Sequence, residues 1–148
     1  MSLLAKLQED MKRALKSRDE LRLSTIRLLL SSVSYARIDK GDELTDDEVL
    51  DVLGKAAKQR RETVEAARGG GRQDIADKEQ AELGIISAYL PEQLSEAEVE
   101  AIARQIAAEV GAENIKDRGK VMGPLMKRIH GKADGKLANQ VVERVLRV

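Results

Sequence analysis

At 148 residues, 42% of them apolar, the chain can build one ordinary domain or two small ones around a real core. Its 26 lysines and arginines are balanced by 26 aspartates and glutamates, so net charge gives no global pull toward nucleic acid and any such argument must be local. The absence of cysteine excludes disulfides and thiolate metal sites and sets a cytoplasmic expectation, and with no Phe or Trp the core must come from Leu, Ile, Val, Ala and Met, residues that with Glu, Lys, Arg and Gln favour helices.

The opening stretch, MSLLAKLQEDMKRALKSRDE, is charged and amphipathic, without the apolar run or small-residue cleavage site of a secretory leader. Leu3, Leu4, Leu7, Met11 and Leu15 mark a first helix. A second runs from Leu21 to Ile38 and stops at Lys40-Gly41; its run Ile26-Arg27-Leu28-Leu29-Leu30 predicts a largely buried centre. Thr45-Asp46-Asp47-Glu48 reads as a capping box, opening a helix that Gly69-Gly70-Gly71 ends near Arg68. A fourth helix covers about Gln73 to Tyr89 and stops at Leu90-Pro91. Ser95-Glu96-Ala97-Glu98 is a second capping box, opening a helix that reaches Val110 before Gly111. Two more helices follow, near Arg118–Ile129 and from about Gly135 onward, joined by Gly131-Lys132-Ala133-Asp134-Gly135. The expected fold is all-α: a bundle of about four helices over residues 1–91, then a small three-helix domain over 92–148. No segment approaches the roughly 18 apolar residues of a membrane span, so no membrane partner is expected.

The residues for independent catalysis are missing. There is no cysteine, His130 is the only histidine, and Ser24-Thr25 lies inside a helical run, where hydroxyls bond back to the preceding turn. The acidic run Asp42, Glu43, Asp46, Asp47, Glu48 crowds a helix N-terminus, which favours negative charge, and has no cation-loop pattern. Gly119-Lys120-Val121-Met122-Gly123 fails as a phosphate loop, because the Walker spacing is absent and no strand precedes it. Catalytic residues, metal and cofactor are all expected to be none.

The stretch from Lys116 onward holds nine lysines and arginines against Asp117, Asp134 and Glu143, whereas Glu92 to Ile115 holds six glutamates against Arg104. On a helix at about 100° per residue, Val121, Met122, Leu125, Met126 and Ile129 share one face and Lys120, Gly123, Pro124 and Lys127 the opposite one. In the last helix Leu137, Ala138, Val141, Val142 and Val145 oppose Lys136, Gln140 and Arg147. The candidate RNA-binding residues are Lys116, Arg118, Lys120, Lys127, Arg128, Lys132, Lys136 and Gln140. The alternative is a solvated charged face. Stacking of single-stranded bases is disfavoured for want of rings, which leaves a folded RNA read through phosphates and 2′-hydroxyls. Pro124 implies a kink, or a helix that starts near Gly123.

Motifs along almost the whole chain resemble the GatB/YqeY family. They are Arg22-Leu23-Ser24-Thr25-Ile26-Arg27-Leu28-Leu29, Ile38-Asp39-Lys40-Gly41, Lys58-Gln59-Arg60-Arg61-Glu62, Gly71-Arg72-Gln73-Asp74, the junction Ala88-Tyr89-Leu90-Pro91-Glu92-Gln93-Leu94-Ser95, then Gly119-Lys120-Val121-Met122 and Gly131-Lys132-Ala133-Asp134-Gly135-Lys136-Leu137-Ala138-Asn139-Gln140. Their order and spacing carry the resemblance. It implies a relation to the C-terminal tail of the GatB polypeptide of the glutamine-dependent tRNA amidotransferase, a carbon–nitrogen ligase whose amidase and kinase chemistry resides outside that tail. The implied role is a non-catalytic accessory module that binds tRNA, with a tRNA-modifying or amidotransferase enzyme as a further partner. A protein–protein adaptor or stability factor without RNA contact is the alternative. Pro124 departs from the family pattern and puts the geometry of the basic helix in question.

Overall fold

The computed structural model describes residues 1–147 and is all-helical, with seven α-helices, one short 3-10 helix and no strand among the described residues. It divides into two compact units, Met1–Leu90 and a second beginning at Pro91.

In the first unit α1 spans Leu3–Ser17, and the Ser2 hydroxyl accepts the Ala5 N–H at 3.1 Å to cap it. It ends on Arg18, a non-glycine residue in the left-handed region at φ 57°. α2 spans Glu20–Lys40, capped by the Asp19 carboxylate and closed by Gly41 at φ 78°. α3 spans Asp46–Gly69. Its capping box is reciprocal: the Glu48 N–H donates to Thr45 Oγ1 at 3.2 Å and the Thr45 N–H to Glu48 Oε1 at 3.1 Å. Lys40 donates to the same glutamate at 2.6 Å, and Asp46 accepts the Leu3 N–H at 3.1 Å. The acidic run is thus drawn into caps and pairs. α4 spans Gln73–Ser87, two residues short of the expected Tyr89. The chain turns there, and the Tyr89 hydroxyl donates to Asp10 at 2.5 Å while Lys6 sits 5.5 Å above the ring. Burial first, and the Asp10 carboxylate second, raise the Tyr89 hydroxyl well above its ordinary value, so it stays a donor.

Leu7, Ile26, Leu29, Val33, Val49, Leu53, Ala57 and Ile86 form the core of this unit. The centre of α2, expected to be largely buried, is buried on one stripe alone. Ile26 and Leu29 are fully buried, but Leu28 is 51% exposed, because consecutive residues on a helix point about 100° apart and only one stripe meets the core. Alanines 67 and 76 pack with Val64 between α3 and α4. Beside them Arg60 reaches Glu82 at 3.3 Å and Glu79 at 3.8 Å, which balances the buried Glu82 carboxylate.

In the second unit α5 spans Glu96–Val110, opened by the Ser95–Glu98 capping box and closed by Gly111 at φ 68°. A 3-10 turn at Ile115–Asp117, which the sequence pattern did not show, leads into α6, Arg118–Ile129. α7 spans Gly135–Leu146. Val99, Ala103, Ile106, Val121, Leu125, Ile129, Ala138, Val141 and Val142 close a second core. Arg144 ties α7 to α5 by pairing with Glu96 at 2.7 Å and Glu100 at 3.2 Å.

α6 is continuous from Arg118 through Pro124, so the alternative of a start near Gly123 is excluded. The missing N–H is tolerable because Pro124 and Lys120, whose carbonyl it would have bonded, both lie on the exposed side, where water can take its place. Met126, expected on the core face, is 37% exposed. Its terminal methyl instead lies beside Gly135, where an added Cβ would stand 3.4 Å away.

Candidate nucleic-acid interface

The last basic residues of α6, the turn, and the start of α7 form one continuous stretch of surface. Ile129 is buried and His130 leaves the helix at φ −49°, ψ 122°. Gly131 takes φ 74°, a conformation a side chain would resist, and reverses the chain. The Lys132 N–H returns to the Ile129 carbonyl at 2.7 Å, closing the turn. Asp134 then caps α7 by accepting the Lys136 N–H at 3.3 Å.

The turn is also held from outside itself. The Gln93 amide donates to the Gly131 carbonyl at 2.8 Å and to the Pro91 carbonyl at 2.8 Å. The Leu94 N–H donates to the Lys132 carbonyl at 2.8 Å, and Leu94 packs on the core beneath. The junction motif therefore clasps the backbone that carries Lys132. Reading the sequence missed Gln93; the one signal available was its place in a motif, with no charge to single it out.

All eight candidate residues are exposed, but they do not form one uniform patch. Lys127, Arg128, Lys132 and Lys136 gather around the turn, and among the described residues none of the four is in an ion pair. Gln140 lies one helical turn beyond Lys136 on the same stripe of α7. Lys116, Arg118 and Lys120 stand at the opposite end of α6, about 15 Å away along a helix axis with 1.5 Å rise. There two of the three charges are compensated. Arg118 pairs with Glu143 at 2.9 Å, and Lys120 lies 3.5 Å from Asp117. Asp117 also accepts the Glu113 N–H at 2.9 Å, and that bond, ahead of the Lys120 charge, keeps its carboxyl below the ordinary range. Of these candidates, the cations outside ion pairs among the described residues are thus the four around the turn, which also holds Asp134, and Lys116 at the far end.

No group of three or more His, Cys, Asp or Glu side chains among the described residues is arranged to hold a metal ion. No helix among them is long and apolar enough to cross a membrane. The Ser24 and Thr25 hydroxyls donate back to the Leu21 carbonyl at 3.1 and 2.8 Å.

Several known proteins are similar to the chain in sequence. It is 38% identical over 88 residues to "Altered inheritance of mitochondria protein 41, mitochondrial" of Eremothecium gossypii, a match covering 59% of this chain and 48% of the relative. It is 36% identical over 101 residues to the protein of the same name in Lachancea thermotolerans, covering 66% and 54%. An uncharacterized protein of Schizosaccharomyces pombe is 33% identical over 94 residues, covering 64% of this chain and 76% of the relative. The chain spans about half the length of the first two. Their names place those relatives in mitochondria, which overturns the cytoplasmic expectation. That expectation rested on the lack of cysteine, which rules out disulfides but does not separate one compartment from another. The family model described as "Yqey-like protein" matches residues 4–146, nearly end to end, and the chain belongs to that family.

Proposed function

We propose that this chain is a non-catalytic accessory module that binds tRNA through the turn between α6 and α7, in the manner the likeness to the amidotransferase tail implies. One observation carries the reading: Lys127, Arg128, Lys132 and Lys136 surround a turn fixed by Gln93 and Leu94, and none of the four is neutralised by a carboxylate among the described residues. Four cations on a rigid turn suit a phosphate backbone, because each contact releases a condensed counterion without ordering a loop. The scarcity of rings narrows the target. Tyr89 is engaged with Asp10 and Lys6, which leaves Tyr35 of the first unit as the one open tyrosine, so base stacking has little to work with, and a folded RNA presenting phosphates and 2′-hydroxyls fits better than a single strand. A tRNA-modifying or amidotransferase enzyme would supply the chemistry. We propose also that the two compact units behave as separate domains.

The second reading, a protein–protein adaptor or stability factor, is favoured by the compensated end of α6, where Arg118 and Lys120 already have acidic partners. Filter binding of bulk tRNA by the purified chain at low and at high salt separates the two. The RNA reading expects binding that weakens steeply with salt, and the adaptor reading expects none at either.

A further inference from the structure

α2 and α3 leave an open cleft of about 340 Å³ between them, floored by the core residues Leu29 and Ala56 of the first unit. Its α2 wall carries Leu28, 51% exposed, and Tyr35, 71% exposed, one of the two aromatic rings in the chain. These residues stand seven apart and share a stripe with Asp39. The α3 wall supplies Val52, Lys55 and Gln59. A large aliphatic and a tyrosine lining one cleft and open to water make a surface suited to a partner, and tyrosine is enriched where proteins meet.

The charges say what covers them. Arg60, at the edge of the cleft, is spent on Glu82 and Glu79. Asp39 and Lys55 are not: among the described residues neither enters an ion pair, and they stand on opposite walls. One open anion and one open cation flanking an apolar strip form a self-complementary surface. A foreign partner would need the mirrored pattern, whereas a second copy has it by construction, because a two-fold axis through the cleft sets the Asp39 wall of one copy against the Lys55 wall of the other. The zero net charge of the chain removes the like-charge repulsion that would oppose such a pairing. We infer that this cleft is the isologous interface of a homodimer, with Leu28 and Tyr35 at its centre and Asp39 and Lys55 paired across it. The inference stands independently of RNA binding.

Sedimentation velocity on the full chain, from about 1 to about 100 μM, tests it. The parent should pass from monomer to dimer over this range. Tyr35→Glu should stay monomeric with an unchanged circular dichroism spectrum, since the side chain is exposed. Asp39→Lys and Lys55→Asp should each weaken the dimer about tenfold or more, and the double swap Asp39→Lys/Lys55→Asp should restore it. A parent that is monomeric throughout overturns the inference and leaves the cleft to a partner of different sequence. A dimer that persists through Tyr35→Glu and both single swaps overturns it equally.

Discussion

The Gln93 amide stands 2.8 Å from the carbonyl of Gly131, so a residue of the junction segment holds the turn on which Lys132 is displayed. The same amide also reaches Pro91, which makes it a clasp between two backbone segments. Replacing Gln93 by Ala removes both bonds and leaves every cation in place. Stability should fall by about 1 kcal/mol, as for a typical exposed hydrogen-bonded side chain. Binding of tRNA should weaken several-fold through the loosened turn. Urea denaturation and filter binding on the same preparation measure the two effects, and a turn that needs no clasp would show unchanged affinity.

Arg60 is the charge partner of a buried carboxylate, Glu82. Arg60→Ala leaves that buried carboxylate without its charge partner and should cost about 3–5 kcal/mol. Replacing both residues, as Arg60→Met with Glu82→Leu, should recover most of the loss. A double-mutant cycle by chemical denaturation checks it; additive losses would mean that the pair does not act as a unit.

Acid should loosen the helix starts first. Hydrogen bonds from the Ser95 backbone and side chain hold the Glu98 carboxyl below its ordinary 4.5. The Lys40 ammonium, followed by the Thr45 backbone, does the same for Glu48. A folded-state value that is lowered means stability fully present above about pH 4.5 and lost as pH falls through the lowered value. Glu98→Gln and Glu48→Gln should each lower the melting temperature slightly at pH 7 and converge with the parent in acid, which flattens the acid limb of the profile. An acid limb of unaltered slope in both variants would refute the assignment.

If the two units are domains, limited proteolysis should cut between Leu90 and Glu92, before the residues that Gln93 and Leu94 fasten to the turn. The fragment starting near Pro91 should keep its helical circular dichroism, because its core closes without α1–α4. Cleavage scattered through α3 and α5, with no persistent fragment, would speak for a single cooperative body.

Much of this fold was legible because local chemistry marked it. Thr45 and Ser95 announce α3 and α5 through capping boxes, and Gly41 and Gly111 close helices with positive φ. The bounds of α6 were readable from its apolar spacing even with Pro124 inside, since four of its apolar residues keep to one stripe. Other features have no local mark. Arg18 adopts a left-handed conformation that no neighbouring residue type gives reason to expect there. The leucine run of α2 does not say which member is left out of the core. In the candidate site, charge counting found the cations but not their partners. Glu143 lies 25 residues from Arg118 in the chain, so only the packing of α7 on α6 reveals that this end is neutralised. The clasp by Gln93 is of the same kind, a contact spanning 38 residues.

The central claim is that the unpaired cations at the turn, and not basic residues in general, hold RNA. Its most direct test compares two charge-removal variants in tRNA titrations across a salt series. One carries Ala at Lys127, Arg128, Lys132 and Lys136; the other carries Ala at Lys116, Arg118 and Lys120. Both should keep the parent melting temperature to within a few degrees, since exposed charges contribute little to stability. The turn variant should lose affinity and flatten the log–log salt dependence by about 0.9 for each lost contact to a duplex region. The far-end variant should stay close to the parent, because two of its three cations are already matched by Glu143 and Asp117. A turn variant that binds tRNA like the parent at every salt concentration, or a far-end variant that loses as much, would contradict the account.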